Sequence, residues 1–146
     1  MTPETLFSLA NPLALVGWAV LIAAPLAPKV ADLIAGTVIP LVMAVGYSAL
    51  ILAYWSGATG GYGSLPDVMT LFTHPEVALA GWVHYLGFDL FVGAWAVRTA
   101  RGTGINHLLV LPHLVLIFLF GPAGFFTFHA MLAAFRFATP DAKAAA

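Results

Sequence analysis

Between Thr5 and Pro25 the chain runs without a single charged side chain, and it does so again from Leu33 to Trp55 and from Leu108 to Phe135. Another run, Val77 to Val97, carries one, Asp89. Each run is at least as long as the roughly 20 apolar residues that an α-helix needs to cross the hydrocarbon core of a bilayer. Inside that core backbone polar groups must be satisfied within the segment, so these runs predict helices. The expected fold class is all-α: a polytopic membrane protein, four transmembrane helices with a short interfacial helix between spans two and three. The runs and their loops use up residues 1–146 as a single four-helix transmembrane domain.

Composition supports the same conclusion by exclusion. The 146 residues are 62% hydrophobic and 8% charged, whereas a soluble domain carries about 25% charged residues. A water-soluble fold and a disordered chain are both excluded. The net charge of -1 offers no electrostatic footprint for nucleic acid. With no cysteine, the chain has no disulfides, zinc-thiolate sites, iron–sulfur clusters or thiol catalysis. The expected partners are membrane lipids and, because so small a bundle buries little surface, further copies of the chain in a homo-oligomer.

The connections carry their own signals. Met1-Thr2-Pro3-Glu4 lacks the positive flank of a signal peptide, so the first run is read as a retained helix. Asn11-Pro12 predicts a break or kink near its start, leaving the first ten residues in the interface. Ser56 to Gly63 reads as a flexible polar loop with no phosphate-binding motif. Leu65, Val68, Met69 and Phe72 then repeat at helical spacing behind a Ser64–Asp67 capping box, which predicts the interfacial helix. Thr73 to Glu76 reads as a second capping box opening the third run. Arg98 and Arg101 close that run, and Gly102-Thr103-Gly104 turns into the fourth. With four crossings, Lys29, Arg98 and Arg101 lie on one side. Arg136 and Lys143 lie on the other, with the N-terminus. That margin places the N-terminus outside.

Ionisable groups inside a membrane are costly, about 2.5–3.5 kcal/mol for an Asp at mid-span. The third run holds His84 and Asp89; the fourth holds His113 and His129. If the two runs are antiparallel, a rise of about 1.5 Å per residue brings His84 level with His129 and Asp89 level with His113. Such pairs suit proton transfer, which makes His84, Asp89 and His113 the catalytic candidates. Against this, His84 and Asp89 are separated by about 140° around a helix and share no face. Either can also serve as an interhelical hydrogen-bonding group, and His113, following Pro112, can satisfy a freed carbonyl. His74 and His107 at helix starts are expected to be solvated, and Glu76 to be a cap. Trp82, Tyr85, Phe91 and Trp95, with His129, are the candidates to bind a long apolar ligand, although aromatics at this spacing equally build a core. Pro40 and Gly121-Pro122 predict kinks that free carbonyls. No ligand geometry for a metal emerges from His84, Asp89 and His113, so none is assigned. The cofactor is likewise left unassigned.

The third run reads Gly81-Trp82-Val83-His84-Tyr85-Leu86-Gly87-Phe88-Asp89-Leu90-Phe91-Val92-Gly93. This W-x-H-x-x-x-x-D-L-F pattern resembles the neoxanthin synthase-like family, named from an abscisic-acid-deficient plant mutant. Ala24-Pro25, Pro40, Pro112 and Phe120-Gly121-Pro122-Ala123-Gly124 agree with it in order, from about Leu15 to Phe126. In plants this family is required to make neoxanthin from violaxanthin in a plastid membrane. The resemblance implies a carotenoid or isoprenoid ligand and an isomerisation without redox change, with His84 and Asp89 as acid and base. No Ser- and Arg-rich transit peptide precedes the first run, and the Ala-rich composition has a bacterial character, so a bacterial inner membrane is the expected location. Two other functions compete. One is a small transport subunit or assembly partner with no chemistry. The other is a four-helix haem carrier ligated by two histidines at one depth, such as His84 and His129.

Overall fold

The computed structural model describes residues 2–138. Among these the chain is helical apart from its connections, with no strand: α1 (Pro3–Ile22), α2 (Pro28–Leu33), α3 (Ile39–Tyr54), α4 (Leu65–Leu71), α5 (Pro75–Gly102) and α6 (His107–Ala138). A π-helical stretch, Ile34–Val38, joins α2 to α3 in one continuous rod. It lies just ahead of Pro40, which has no N–H to give the carbonyl of Gly36, so the rod widens by one residue there. Four helical segments are long and apolar enough to cross a membrane: α1, the α2–α3 rod, α5 and α6.

α5 is the axis of the bundle. Half of its most apolar stretch is buried, against 22–28% for the other three. They pack around it and turn their remaining surface outward, as helices in lipid do. Close approach is achieved through glycines. A Cβ on Gly93 would come within 2.8 Å of the Trp18 ring, and one on Gly87 within 3.1 Å of Met43 Cβ. Gly17 leaves the room that Leu90 fills.

The two ends of the bundle are chemically distinct. At one end α1 and α5 begin side by side: the Trp82 indole donates to Asn11 Oδ1 at 2.9 Å, and Phe7 packs on its ring. The predicted break at Asn11-Pro12 does not occur, and α1 runs through Pro12. The Asn11 amide donates to the Phe7 carbonyl at 2.9 Å and braces the helix there. The interfacial helix is present as α4. Ser64 accepts from the Asp67 N–H at 3.2 Å and donates to Asp67 Oδ2 at 2.7 Å. The second capping box is not formed. α5 starts at Pro75 behind His74, and the Thr73 hydroxyl turns back to the Thr70 carbonyl. The His74 ring instead receives the Thr59 N–H at 3.0 Å, tying down the polar loop. At the other end, which we call the basic end, Asp32 pairs with Arg101, and the His107 ring meets the Ile22 carbonyl at 3.1 Å. Gly104, at φ 74°, turns the chain there into α6.

α6 does not run straight. At Phe120 the backbone leaves helical geometry (φ -145°, ψ 47°). The His113 ring touches the Thr127 hydroxyl at 3.0 Å, although fourteen residues of straight helix would hold them about 21 Å apart. Gly124 lies directly against the backbone of Ile117. Both pairs are nearly symmetric about Phe120–Gly121, so α6 is a hairpin of two antiparallel arms, 107–119 and 121–138. The first arm climbs from the basic end to about the middle of α5. The second returns alongside α5 in the same direction, its Phe125 and His129 packing on Trp95. The expected antiparallel register between the third and fourth runs therefore gives way to this one. Gly121-Pro122 produces a reversal and not a kink, because the apex has partners on α5.

Candidate functional site

Helix geometry already separates His84 from Asp89 by about 140°, and the structure puts them on opposite flanks of α5. On one flank lies a groove of about 640 Å³ between α3 and α5. Its walls are apolar: Pro40, Leu41, Met43 and Ala44 from one helix, Gly87, Phe88 and Phe91 from the other. His84 stands exposed in it, its ring stacked on Phe88 at 4.5 Å and facing Tyr47 at 5.5 Å between centroids. Thr37, Tyr47 and Ser48 add the remaining polar side chains. Gly87 is what lets α3 and α5 come together at its floor, since a side chain there would push Met43 away. Leu41, Ala44, Ser48, Phe88 and Phe91 are all exposed, so the groove opens sideways, toward where lipid would lie. Tyr47 and Ser48 are site residues that the sequence reading passed over. They form a polar pair within an otherwise apolar run, which was a signal of its own.

The other flank holds the apex of the α6 hairpin. Pro122 cannot donate to the carbonyl of Phe118. The Tyr85 hydroxyl does so in its place, at 3.1 Å, and also reaches the Leu119 carbonyl at 3.3 Å. One turn on, the Asp89 carboxylate lies against Gly121, in space that any side chain at that position would take. Asp89 therefore faces the start of the second arm, where free N–H groups and the helix dipole favour negative charge. Its Oδ2 is buried with no hydrogen-bond partner among the described residues.

The other candidates are distributed over these two flanks and beyond them. Phe91 lines the groove. Trp82 is held by α1, through Asn11 and Phe7. Tyr85 serves the hairpin apex. Trp95 and His129 stack on each other at 5.0 Å, on the side of α5 that meets the second arm of the hairpin. His113 lies between the two hairpin arms, on Thr127 and Phe128. The structure brings together neither His84 with His129 nor Asp89 with His113. The two-histidine haem arrangement needs the first of these pairs. No cluster of three or more His, Cys, Asp or Glu occurs among the described residues.

The sequence matches the family model described as ABA DEFICIENT 4-like over residues 5–128. That stretch contains all of α1 through α5 except the first two residues of α1, and the hairpin apex with part of its second arm. No curated protein and no solved structure matches the chain.

Proposed function

The chain belongs to the ABA DEFICIENT 4-like family, and on that premise we propose that it isomerises a long isoprenoid lipid, foremost a carotenoid epoxide, in the groove between α3 and α5. The observation that carries this reading is the groove itself: about 640 Å³, walled by apolar side chains, open on its lipid side, with one imidazole in it. A long apolar substrate enters such a groove from the bilayer without passing through water.

The chemistry asks little of the protein. The epoxide C–O bond breaks and its electron pair stays on oxygen, which takes up a proton and becomes a hydroxyl. The neighbouring carbon gives up a proton, and the C–H electrons complete the allene. One proton leaves carbon and one reaches oxygen, with no change of oxidation state overall. His84 takes the proton from carbon, the Tyr47 hydroxyl in the same groove gives one to the epoxide oxygen, and transfer from the imidazolium to the tyrosinate it faces restores both groups. Asp89 faces away from the groove and acts through the hairpin, as a positioning residue.

The test is conversion. The chain is produced in membranes of a host that accumulates violaxanthin, and carotenoids are separated by chromatography with mass detection. An allenic isomer of unchanged mass is expected with the wild-type chain and not with His84→Gln. If the wild-type chain is present in those membranes and the epoxide pool is unaltered, the reading fails.

A further inference from the structure

We propose that the basic end of the bundle rests on anionic phospholipid headgroups of the cytoplasmic leaflet, so that both ends of α6 stay on that side and His84 lies in the opposite half of the bilayer. Because the second arm of α6 returns alongside α5, Arg136 comes back to the end that already holds Lys29, Arg98 and Arg101. A fourth run that crossed the membrane would set Arg136 and Lys143 against those three. Arg136 changes sides, and Lys143 lies outside the described residues. Every described cation then sits at one end. The carboxylates of Glu4, Asp67 and Glu76 sit at the other, and Asp32 is paired with Arg101. A bias this complete is what the positive-inside rule reads as the cytoplasmic face.

The same end carries a cavity of about 270 Å³. Ala24, Val97, Ala100 and Ile105 supply an apolar floor, and Arg101 and His107 supply polar walls. That combination fits a phospholipid where phosphate meets glycerol: guanidinium for the phosphate, apolar floor for the first carbons of the chains. Asp32 offsets part of the Arg101 charge, and Lys29, Arg98 and Arg136 at the same end leave it net positive, which favours a headgroup carrying net negative charge over a zwitterionic one. His84 lies about 14 Å along α5 from its start at Pro75 and about 27 Å from its end at Gly102. With the basic end inside, His84 therefore lies on the outer-leaflet side, in a groove whose lining reaches from Ser48 and Val83 past Phe91 to Gly36.

The absence of cysteine makes the test direct. Single cysteines are placed at Gly63, Gly102 and Ala138, with Arg136→Cys as a second probe of the last arm, and intact bacterial cells are treated with a membrane-impermeant maleimide. Labelling of Gly63→Cys in intact cells, with Gly102→Cys and Ala138→Cys labelled only after permeabilisation, is expected. Labelling of Ala138→Cys and Arg136→Cys from outside while Gly102→Cys is protected would overturn the hairpin. The fully inverted pattern would overturn the orientation. For the headgroup, protein taken from vesicles of equal phosphatidylglycerol and phosphatidylcholine is analysed by native mass spectrometry. Several-fold enrichment of phosphatidylglycerol that is lost in Arg101→Gln supports the proposal. Equal retention, enrichment that survives in Arg101→Gln, or enrichment abolished by inorganic phosphate overturns it. None of these readouts involves turnover, so they stand or fall separately from the isomerase reading.

Discussion

His84 and Asp89 are five residues apart on one helix, yet they meet different surroundings. His84 looks into a groove with aromatic walls and has room for a ligand beside it. Asp89 looks at glycine and at the start of a helical arm, with no room left at all. Charge inside a membrane persists when it is used or when it is satisfied. Under the proposed function the first flank of α5 illustrates use, and the second illustrates structure. Membrane-depth backbone that leaves helical geometry is tolerated only where protein covers it. Tyr85 and Asp89 are that cover for the hairpin. On that reading, a sequence motif that spans both residues records two demands, a reactive group and a support.

The sharpest way to break this division is to remove the two side chains separately. His84→Gln is expected to lower turnover of the epoxide about 100- to 10,000-fold, the usual worth of a general acid–base group. Its unfolding in detergent should move by no more than about 0.5 kcal/mol, because the ring is exposed. Asp89→Asn keeps the shape and an acceptor oxygen, and should leave most of the activity in whatever fraction is folded. If folded Asp89→Asn is as inactive as His84→Gln, the flanks form one site, and the pairing of His84 with Asp89 as acid and base is restored.

Next in size is Gly121→Leu. Its side chain would collide with the Asp89 carboxylate at the apex, and overpacking of this kind costs about 1–3 kcal/mol. Gly46→Leu on α3 is the matched control, since nothing lies within 4 Å of a Cβ there. Thermal unfolding of the two in the same detergent should differ by most of that amount. Equal behaviour would mean that the apex is loosely packed and Asp89 supports nothing. Tyr85→Phe is expected to cost about 1–2 kcal/mol, because it leaves the Phe118 carbonyl without the partner that Pro122 cannot provide. Turnover per folded molecule should be unchanged, since the hydroxyl faces away from the groove.

The legibility of the two flanks also differed. Helix number, the interfacial helix and the turn at Gly102–Gly104 follow from run length, spacing and glycine, all local properties. The 140° separation of His84 and Asp89 was readable for the same reason. The groove was not, because Tyr47 and Ser48 become its wall only once α3 is known to pack on Gly87. The hairpin was hidden more deeply. Gly121-Pro122 in an apolar run predicts a kink as readily as a reversal, and what decides is a pair of side chains on another helix. The pairs His84–His129 and Asp89–His113 require a straight fourth helix, and the fold-back at Phe120 removes that condition.

The smallest expected effect tests the hairpin away from both flanks. His113 and Thr127 are in hydrogen-bond contact at 3.0 Å between the two arms, and the Thr127 hydroxyl also donates to the Gly124 carbonyl of its own arm. Thr127→Val removes the hydroxyl and keeps the branched shape. Interhelical hydrogen bonds inside membranes are worth about 0.6 kcal/mol on average, because a polar group that loses one partner finds another. The destabilisation should be of that order, and a double-mutant cycle with His113→Phe should show that the two losses do not add. In a straight α6 the two residues would be about 21 Å apart and uncoupled, so strict additivity would argue against the fold-back itself. Activity should follow stability alone in both variants. A turnover loss of 100-fold in His113→Phe, with unfolding barely changed, would instead return His113 to the chemistry and place part of the active site between the arms.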